Sequence, residues 1–374
     1  MLNRTPGEIV ANNAIVRLGS GGQARKEGVA LGFHTLSNFI TRDDAYVTPK
    51  PDTRLAQVGS STLTVDLAAD ATEIPVVAPD FFRKATCLNT VHLGDELVQY
   101  VGVSDAVPWK LTGCKRGAFG TTAQAHAQGA TVAKLADHDY KTFLTDASLS
   151  QEVGRNIADF ANRTGAGRFS MDGLEGNFSA GLGDYGRSLF AKAWYDALKP
   201  ELRGRMACDA SNSGHYLWHI HWYYNWGEPW YAGFRDSQTE YRFKNQQFYT
   251  RNMLPHMLGW FSLSGQTTVA DIEWMLARSA GYDAGFALAT DSGFVANQVS
   301  DHAGSSPDSK RMGEILDAIR VWEEARMSGA FTNEQKEILR DNKREFHLEK
   351  TGEGKWMLYP VAGGKRGEAM MVGK

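Results

Sequence analysis

Short apolar runs recur along most of the chain, and nearly all of them are followed at once by a segment with helical periodicity. The runs predict buried strands at about 29–34, 140–144, 168–171, 205–208, 230–234, 257–263 and 284–289. The segments between them predict helices at about 149–164, 185–198, 238–251, 269–280 and 312–326. Strand–helix alternation with short connections is typical of parallel α/β folds. The alternation therefore predicts a parallel sheet with helices packed against it.

Seven strands are one short of an eight-fold barrel. The missing strand would have to precede residue 5, where Thr5, Pro6 and Glu8 have the spacing of a helix start that ends at Gly19. We therefore predict a (β/α)8-type barrel that lacks its N-terminal first strand. A doubly wound open sheet is the alternative. On the barrel interpretation Met1 is an internal start, and a longer parent protein would carry the missing strand and an export signal, for which this sequence has no apolar segment after Met1.

One stretch breaks the alternation, because residues 60–134 switch to period two with turn residues between the strands. Its predicted strands are 61–65, 73–77, 90–93 and 96–101. After residue 330 a helix at 333–342 and a β-hairpin around 351–354 are predicted. The predicted organisation is a barrel start at 1–59, an inserted all-β module at 60–134, the rest of the barrel at 135–330 and a C-terminal helix and hairpin at 331–374.

The inserted module contains Gly94-Asp95-Glu96-Leu97, then Thr112-Gly113-Cys114-Lys115-Arg116-Gly117, then Gly120-Thr121-Thr122 and Ala125-His126. This order resembles a β module of phage tail and other surface proteins. The resemblance covers about 75 residues. It implies an accessory interaction domain and has no bearing on chemistry.

Charge and cysteine content exclude several classes of partner and cofactor. Forty Lys and Arg against 43 Asp and Glu give a net charge of -3 without a basic stripe, so we expect no nucleic-acid partner. No apolar run approaches the roughly 18 residues of a membrane span. Three cysteines without CxxC spacing predict neither a disulfide framework nor a zinc site. The sequence also lacks the glycine-rich nucleotide motifs, and we expect no cofactor.

Polar residues stand where the predicted strands end, which is where functional side chains lie in parallel barrels. They are His34, Asp172, Asp209, Arg235-Asp236 and Asp291. Glu175 follows Asp172 by three residues, with glycines at 173 and 176 that permit a sharp turn. Glycoside hydrolysis needs two carboxylates, one to protonate the leaving oxygen and one to attack or to activate water. We therefore predict Asp172, Glu175 and Asp236 as catalytic residues and His34, Asp209, Arg235 and Asp291 as substrate-binding residues.

An aromatic segment supports a carbohydrate substrate. Residues 214–231 contain four Trp, four Tyr and three His. Flat rings stack on the apolar faces of sugars, although a packed core would also use aromatic residues. From this segment we predict contacts by Trp222, Trp226, Glu228 and Trp230, joined by Trp260 from a later strand. His219 and His221 are two residues apart, and in a helix they would point in different directions, so no metal site is predicted.

Met171-Asp172-Gly173 at the end of the fourth strand and Asp236 at the end of the sixth resemble the retaining α-glycosidases of the α-galactosidase-like superfamily. The resemblance implies that Asp172 is the nucleophile and Asp236 the general acid/base. The segments at 31–36 and 226–230 also resemble uncharacterised barrel proteins of polysaccharide-degrading bacteria. The resemblance implies a carbohydrate substrate.

Three functional hypotheses follow from these patterns. The first is a glycosidase that acts on a polysaccharide or glycan. The second is a non-catalytic carbohydrate-binding or surface-attachment protein on a barrel scaffold. The third is a polysaccharide lyase, for which Tyr231 beside Arg235 would supply the base and the cation.

Overall fold

A computed structural model describes residues 8–11, 14–17, 26, 31–211, 220–221, 223–224, 233–236, 239–289 and 307–373. The chain divides into two compact units, residues 1–221 and residues 222–374. No helix among the described residues is both long and apolar enough to cross a membrane.

Within the described residues, the first unit begins with twelve short strands. They are β1 Glu8–Ala11, β2 Ala14–Arg17, β3 Gly32–Leu36, β4 Gln57–Thr62, β5 Ile74–Pro75, β6 Thr90–Leu93, β7 Glu96–Gln99, β8 Gly102–Val103, β9 Lys110–Thr112, β10 Thr131–Leu135, β11 Asp137–His138 and β12 Thr142–Phe143. Helices and two further strands follow: α1 Ala147–Thr164, β13 Arg168–Asp172, α2 Leu174–Asn177, a π-helical turn Phe178–Leu182, α3 Asp184–Ala197 and β14 Ala207–Ala210.

The second unit contains β15 Tyr223–Tyr224, α4 Thr239–Arg251, β16 Met257–Ser262, α5 Val269–Tyr282, β17 Gly285–Ala289, α6 Ser309–Met327 and α7 Asn333–Leu339. It ends in β18 Glu345–Gly352, β19 Lys355–Ala362, β20 Lys365–Arg366 and β21 Met370–Gly373. Strands β16 and β17 are parallel. The helices predicted beyond residue 140 are thus confirmed within a few residues. Three of them, α1, α5 and α6, begin after a residue whose side chain accepts a backbone N–H, namely Asp146, Thr268 and Asp308.

The helix predicted for the N-terminus is wrong. Strands β1 and β2 form an antiparallel pair in which Ile9 lies opposite Val16 and Val10 opposite Ile15. Four β-branched residues in these two short segments favour extended backbone over helix. This preference outweighs the capping pattern at Thr5 and Glu8.

Strands β3, β13 and β14 form a parallel sheet with β13 in the centre. One face is apolar, because Phe33 stacks on Phe169 with ring centroids 4.8 Å apart. Phe160 of α1 and Trp194 of α3 cover these two rings. Side chains alternate between the faces of a strand, so the residues on either side of Phe33 and Phe169 point away from the helices. That opposite face is polar.

The strand predicted at 140–144 does not belong to this sheet. Thr142 and Phe143 pair antiparallel with β11 instead, and β3 pairs directly with β13. The strand that ends in Asp172 is therefore the immediate neighbour of the strand that contains His34. Because no strand lies between them, Asp172 does not end the fourth strand of the predicted order.

Residues 57–135 form an all-β region with a core of its own. Strands β4, β10, β6 and β7 make a four-stranded antiparallel sheet, and β5, β9 and β8 make a three-stranded one. The fully buried Glu96 accepts hydrogen bonds from the Arg116 guanidinium at 2.7 and 2.8 Å and from the Gly117 N–H at 2.8 Å. Nε2 of His126 lies 2.9 Å from the same carboxylate. Arg116, Gly117 and His126, which belong to the segments that resemble the phage-tail module, thus bond to one buried carboxylate. Their spacing in the sequence serves this structural contact.

The C-terminal hairpin is confirmed, since β18 and β19 pair antiparallel around Glu353-Gly354. Strand β21 adds to the free side of β19. Leu348, Trp356 and Leu358 are buried in one core with Ile272 and Met275 of α5. The hairpin is therefore stabilised by packing on a helix, as a hairpin of this size requires.

Candidate active site

Three polar residues lie in register on the polar face of the parallel sheet. Ser170 of β13 is paired with His34 of β3 on one side and with Asp209 of β14 on the other. Nδ1 of His34 lies 3.0 Å from Oγ of Ser170, and that hydroxyl donates to Oδ2 of Asp209 at 3.1 Å. The three side chains form a continuous hydrogen-bonded row across the sheet.

Asp172 lies two residues beyond Ser170, so it occupies the same face at the carboxyl end of β13. Its Oδ2 is 3.5 Å from Nε2 of His34, and its Oδ1 accepts the Gly173 N–H at 2.8 Å. Burial alone would raise the pKa of Asp172, but the interactions with His34, Ser211 and the Gly173 N–H together hold that pKa below its usual range. Because the side chain is also 35% exposed, Asp172 is an ionised carboxylate that solvent can reach.

Asp209 has the opposite environment. Burial raises its pKa, and the attraction of Arg168 and the hydrogen bond from Ser170 do not cancel this effect. Nη2 of Arg168 is 3.7 Å from Oδ1 of Asp209, beyond hydrogen-bond distance. The side chain of Asp209, for which a substrate contact is predicted, is completely buried. The strand runs to Ala210 rather than ending before Asp209, which places this carboxyl one layer below the end of the sheet.

The turn after Asp172 depends on a glycine. Gly173 has a φ of +71°, and a Cβ there would lie 2.4 Å from Cε2 of Phe39. Both the backbone conformation and the contact favour glycine. The predicted sharp turn is thus present, and it leads directly into α2, where Glu175 occupies the first turn and is half-buried.

Among the predicted residues of the second unit, Arg235 has clear partners. Its guanidinium forms ion pairs at 2.6 Å with Asp271 and with Glu345. Asp271 also closes a capping box with Thr268 at the start of α5. Two carboxylates therefore hold Arg235, and this engagement weighs against the lyase hypothesis.

Asp236 is exposed and lies in a turn at Phe234–Asp236. The predicted strand at 230–234 therefore does not extend to Phe234, which lies in this turn. Residues 230–232 lie outside the described range. Trp260 is half-buried on β16, where its carbonyl accepts a hydrogen bond from Arg242.

Several predicted contacts fall outside the described residues. They are Trp222, Trp226, Glu228, Trp230 and Asp291, together with Tyr231 of the lyase hypothesis. Within the described ranges, no three His, Cys, Asp or Glu side chains converge as a metal ion would require.

The structure adds Ser170, Ser211 and Arg168 to the site. Ser211 follows β14, accepts the Gly173 N–H at 3.2 Å and hydrogen-bonds to Asp172. A signal for Ser170 is present in the sequence, since it precedes Asp172 by two residues and so shares its face of the strand. Ser211 follows Asp209 by two residues. Neither is visible to a search confined to strand ends.

Comparisons with known proteins give only distant similarities. No family model matches the chain. No curated protein matches it either. An α-amylase from Geobacillus thermoleovorans complexed with acarbose aligns over 62% of this chain and 52% of its own, with 13% identity and a TM-score of 0.29. AmyP in complex with maltose aligns over 66% of this chain and 58% of its own, with 9% identity and a TM-score of 0.24. The chain thus spans between half and three-fifths of the length of these amylase structures.

Proposed function

We propose that this protein is a glycoside hydrolase that acts on a polysaccharide or glycan through two carboxylates, with Asp172 as the nucleophile. The observation that supports this proposal is the state of Asp172. It is held below its usual pKa by His34, Ser211 and the Gly173 N–H, and it is accessible at the carboxyl end of a parallel strand. An attacking carboxylate must be ionised and must reach the sugar, and Asp172 satisfies both conditions.

The second carboxylate is Glu175 or Asp236. Glu175 belongs to the same unit as Asp172 and follows it by three residues across the Gly173 turn. Asp236 is the residue that the α-glycosidase resemblance implies, and it is exposed. The separation of the two carboxyl groups decides the stereochemical outcome, with about 5–5.5 Å expected for retention and about 6.5–9.5 Å for inversion.

The carbohydrate class rests on the aromatic segment at 214–231. We assign sugar contacts to Trp222, Trp226, Glu228 and Trp230, and further contacts to Trp260 and Asp291. On this proposal the chain is a (β/α)8-type barrel without its N-terminal first strand, the module at 60–134 is an accessory domain inserted into it, and residues 331–374 extend it.

The test is a screen of the full chain on aryl glycosides and on a panel of plant, bacterial and animal polysaccharides. Asp172→Asn is expected to abolish hydrolysis of any substrate found. Glu175→Ala and Asp236→Ala are then compared on an aryl glycoside with an activated leaving group. The variant that lacks the true acid keeps its activity there, because departure of that group needs no proton. Glycan binding without hydrolysis of any panel member would refute the proposal and favour the carbohydrate-binding alternative.

A further inference from the structure

The hydrogen-bonded row on the polar face of the sheet has a property that the proposed nucleophile does not explain. Ser170 lies between two groups, with Nδ1 of His34 at 3.0 Å and Oδ2 of Asp209 at 3.1 Å. A hydroxyl has one hydrogen, so Ser170 donates to only one neighbour at a time and must accept from the other. The protonation of His34 is therefore linked to that of Asp209, although the side chain of Asp209 is completely buried.

The first proton arrangement has an ionised Asp209. Ser170 then donates to Asp209 and accepts a hydrogen from Nδ1 of His34. Nε2 of His34 faces the Asp172 carboxylate at 3.5 Å, and a bare lone pair would be repelled there. Nε2 must hold a hydrogen as well, so the imidazole is a cation between two carboxylates.

The second arrangement has a protonated Asp209. This carboxyl donates to Ser170, Ser170 donates to Nδ1, and Nε2 alone holds the hydrogen of a neutral imidazole. The two arrangements contain the same number of protons. They interconvert when the Nδ1 proton passes to Oγ of Ser170 while the hydroxyl proton passes to Oδ2 of Asp209, and no bond to carbon changes.

We propose that Asp209, Ser170 and His34 form a proton relay that stores one proton, and that Asp209 is the positioning residue that keeps an N–H of His34 directed at Asp172 in both arrangements. The electrostatic surroundings agree with this assignment. Burial raises the pKa of Asp209, whereas Asp172 stays ionised at the other end of the row. Among the described residues, the charged groups that face the relay are Asp172 at Nε2 and Arg168, whose Nη2 is 3.7 Å from Oδ1 of Asp209.

The consequence for chemistry rests on the proposed function. A nucleophilic carboxylate needs a fixed orientation as well as a charge, and an N–H that is present in both arrangements supplies it. His34 contacts Asp172, whereas Asp209 acts only through Ser170 and His34. Asp209 does not itself meet the substrate.

Nuclear magnetic resonance of the full chain tests the relay without a substrate. The ¹⁵N shifts of His34, assigned with His34→Gln, and the ¹³C shift of the Asp209 carboxyl, assigned with Asp209→Asn, are followed against pH. If the two residues share one proton, the His34 nitrogen shifts and the Asp209 carboxyl shift should change at the same pH midpoints, because interacting sites titrate as a pair. Ser170→Ala is expected to separate the two titrations, and Ser170→Thr to restore the coupling.

A matched control removes a buried serine hydroxyl outside the relay. Ser150 of α1 is buried and donates to Asn177 at 2.7 Å, so Ser150→Ala is expected to leave the coupled titration unchanged. Independent midpoints for His34 and Asp209 in the unaltered protein would overturn the proposal. So would a titration that Ser170→Ala leaves unaltered while circular dichroism reports a folded chain.

Turnover separates the relay from the proposed function. On a glycoside that the protein hydrolyses, Ser170→Ala is expected to lower kcat about 100-fold with little change in KM, the scale of a misplaced reacting group, and Ser170→Thr to recover most of it. An unchanged kcat in Ser170→Ala would overturn the positioning role. If no glycan is hydrolysed, the proposed function fails, while the resonance titration still decides whether the relay exists.

Discussion

Nε2 of His34 lies 3.5 Å from Oδ2 of Asp172, although the all-β region at 57–135 separates the two residues in the sequence. The contact exists because β3 and β13 are direct neighbours in the parallel sheet, with Ser170 in register with His34. The β region is thus accommodated between two adjacent strands. Insertions of this kind are tolerated when the ends of the loop lie close together.

The first prediction concerns Asp172. Asp172→Asn is expected to abolish glycoside hydrolysis, because the amide keeps the shape of the carboxylate and loses its charge. The side chain is partly exposed, so thermal unfolding is expected to change little. Hydrolysis rates on the identified glycoside and a calorimetric melt of the same preparation check both points. Normal turnover by a folded Asp172→Asn chain would remove this residue from the mechanism.

The second prediction concerns the turn after Asp172. Gly173→Ala places a Cβ 2.4 Å from the Phe39 ring on a residue with positive φ, so both a clash and backbone strain result. We expect a loss of stability greater than the roughly 1–2 kcal/mol of strain alone. Gly181→Ala is the matched control, since its φ is +94° and no atom beyond its own chain neighbours lies within 4 Å of the added Cβ.

Denaturant unfolding, read from the near-ultraviolet signal of the first unit, measures both glycine variants. The difference between them isolates the contact with Phe39. Equal losses for Gly173→Ala and Gly181→Ala would contradict a specific fit of the turn against that ring.

The sequence alone predicted the helices beyond residue 140, the parallel arrangement of β3, β13 and β14, and the C-terminal hairpin. These elements have strong periodicity and clear start or turn residues, such as the Thr268 cap of α5 and Gly354 in the hairpin turn. The N-terminal pair β1 and β2 was missed because Thr5, Pro6 and Glu8 have a helix-start spacing. The extended preference of Ile9 and Val10 prevails there.

The end of the strand at Asp172 was predicted correctly and the end of the strand at Asp209 was not, and the difference has a physical source. Predicted strand ends are uncertain by about two residues. Two residues are one full repeat of a strand, so such an error moves a side chain to another layer of the same face. Asp209 was therefore placed at the accessible edge, whereas the structure buries it beside Ser170. Asp172 was placed correctly because Gly173 marks the end of its strand.

The third prediction comes from the sequence of the aromatic segment. Replacing a sugar-stacking tryptophan among Trp222, Trp226 and Trp230 by Ala is expected to weaken glycan binding by about 1–3 kcal/mol, the scale of one large ring. A core tryptophan would instead cost about 3–5 kcal/mol of stability. Calorimetric titration with the identified glycan and thermal unfolding separate the two outcomes. Trp322 is completely buried, and Trp322→Ala serves as the control for a core ring.

The fourth prediction concerns pH and the second unit. Nδ1 of His347 lies 3.0 Å from the Glu273 carboxylate, and this interaction raises the pKa of His347 although burial opposes it. A raised pKa in the folded state means that the stabilisation is complete below the ordinary histidine pKa of about 6.5. It is lost as pH rises through the higher folded-state value.

The free energy of unfolding of this unit is therefore expected to fall as pH rises above about 6.5. His347→Gln removes the ionisable group, so the difference between the unaltered chain and this variant should shrink over the same pH range. Urea unfolding at several pH values, followed by the fluorescence of the second unit, measures it. A difference that is constant with pH would contradict the ion pair with Glu273.

The last prediction concerns Glu96 in the all-β region. Its carboxylate is fully buried and accepts from Arg116, from the Gly117 N–H and from the Gln124 N–H at 3.2 Å. Removing one partner of a buried charge pair leaves the other uncompensated, so Glu96→Ala is expected to destabilise the region by about 3–5 kcal/mol.

The adjacent Asp95 supplies a matched control and pH gives the decisive signature. Asp95 pairs with Lys50 at 2.9 Å, but both side chains are largely exposed, so Asp95→Ala should cost less than about 1 kcal/mol.

Burial would raise the pKa of Glu96, yet Arg116, His126 and the two backbone donors hold that pKa below its usual range. The stabilisation by Glu96 is therefore present above the ordinary glutamate pKa and lost as pH falls through the lower folded-state value. Hydrogen exchange of the amides in β6, β7 and β10 measures the opening free energy of this region, and the cost of Glu96→Ala should diminish in acid while that of Asp95→Ala stays small. Equal costs for the two variants would mean that the Arg116–Glu96 pair does not hold the region together.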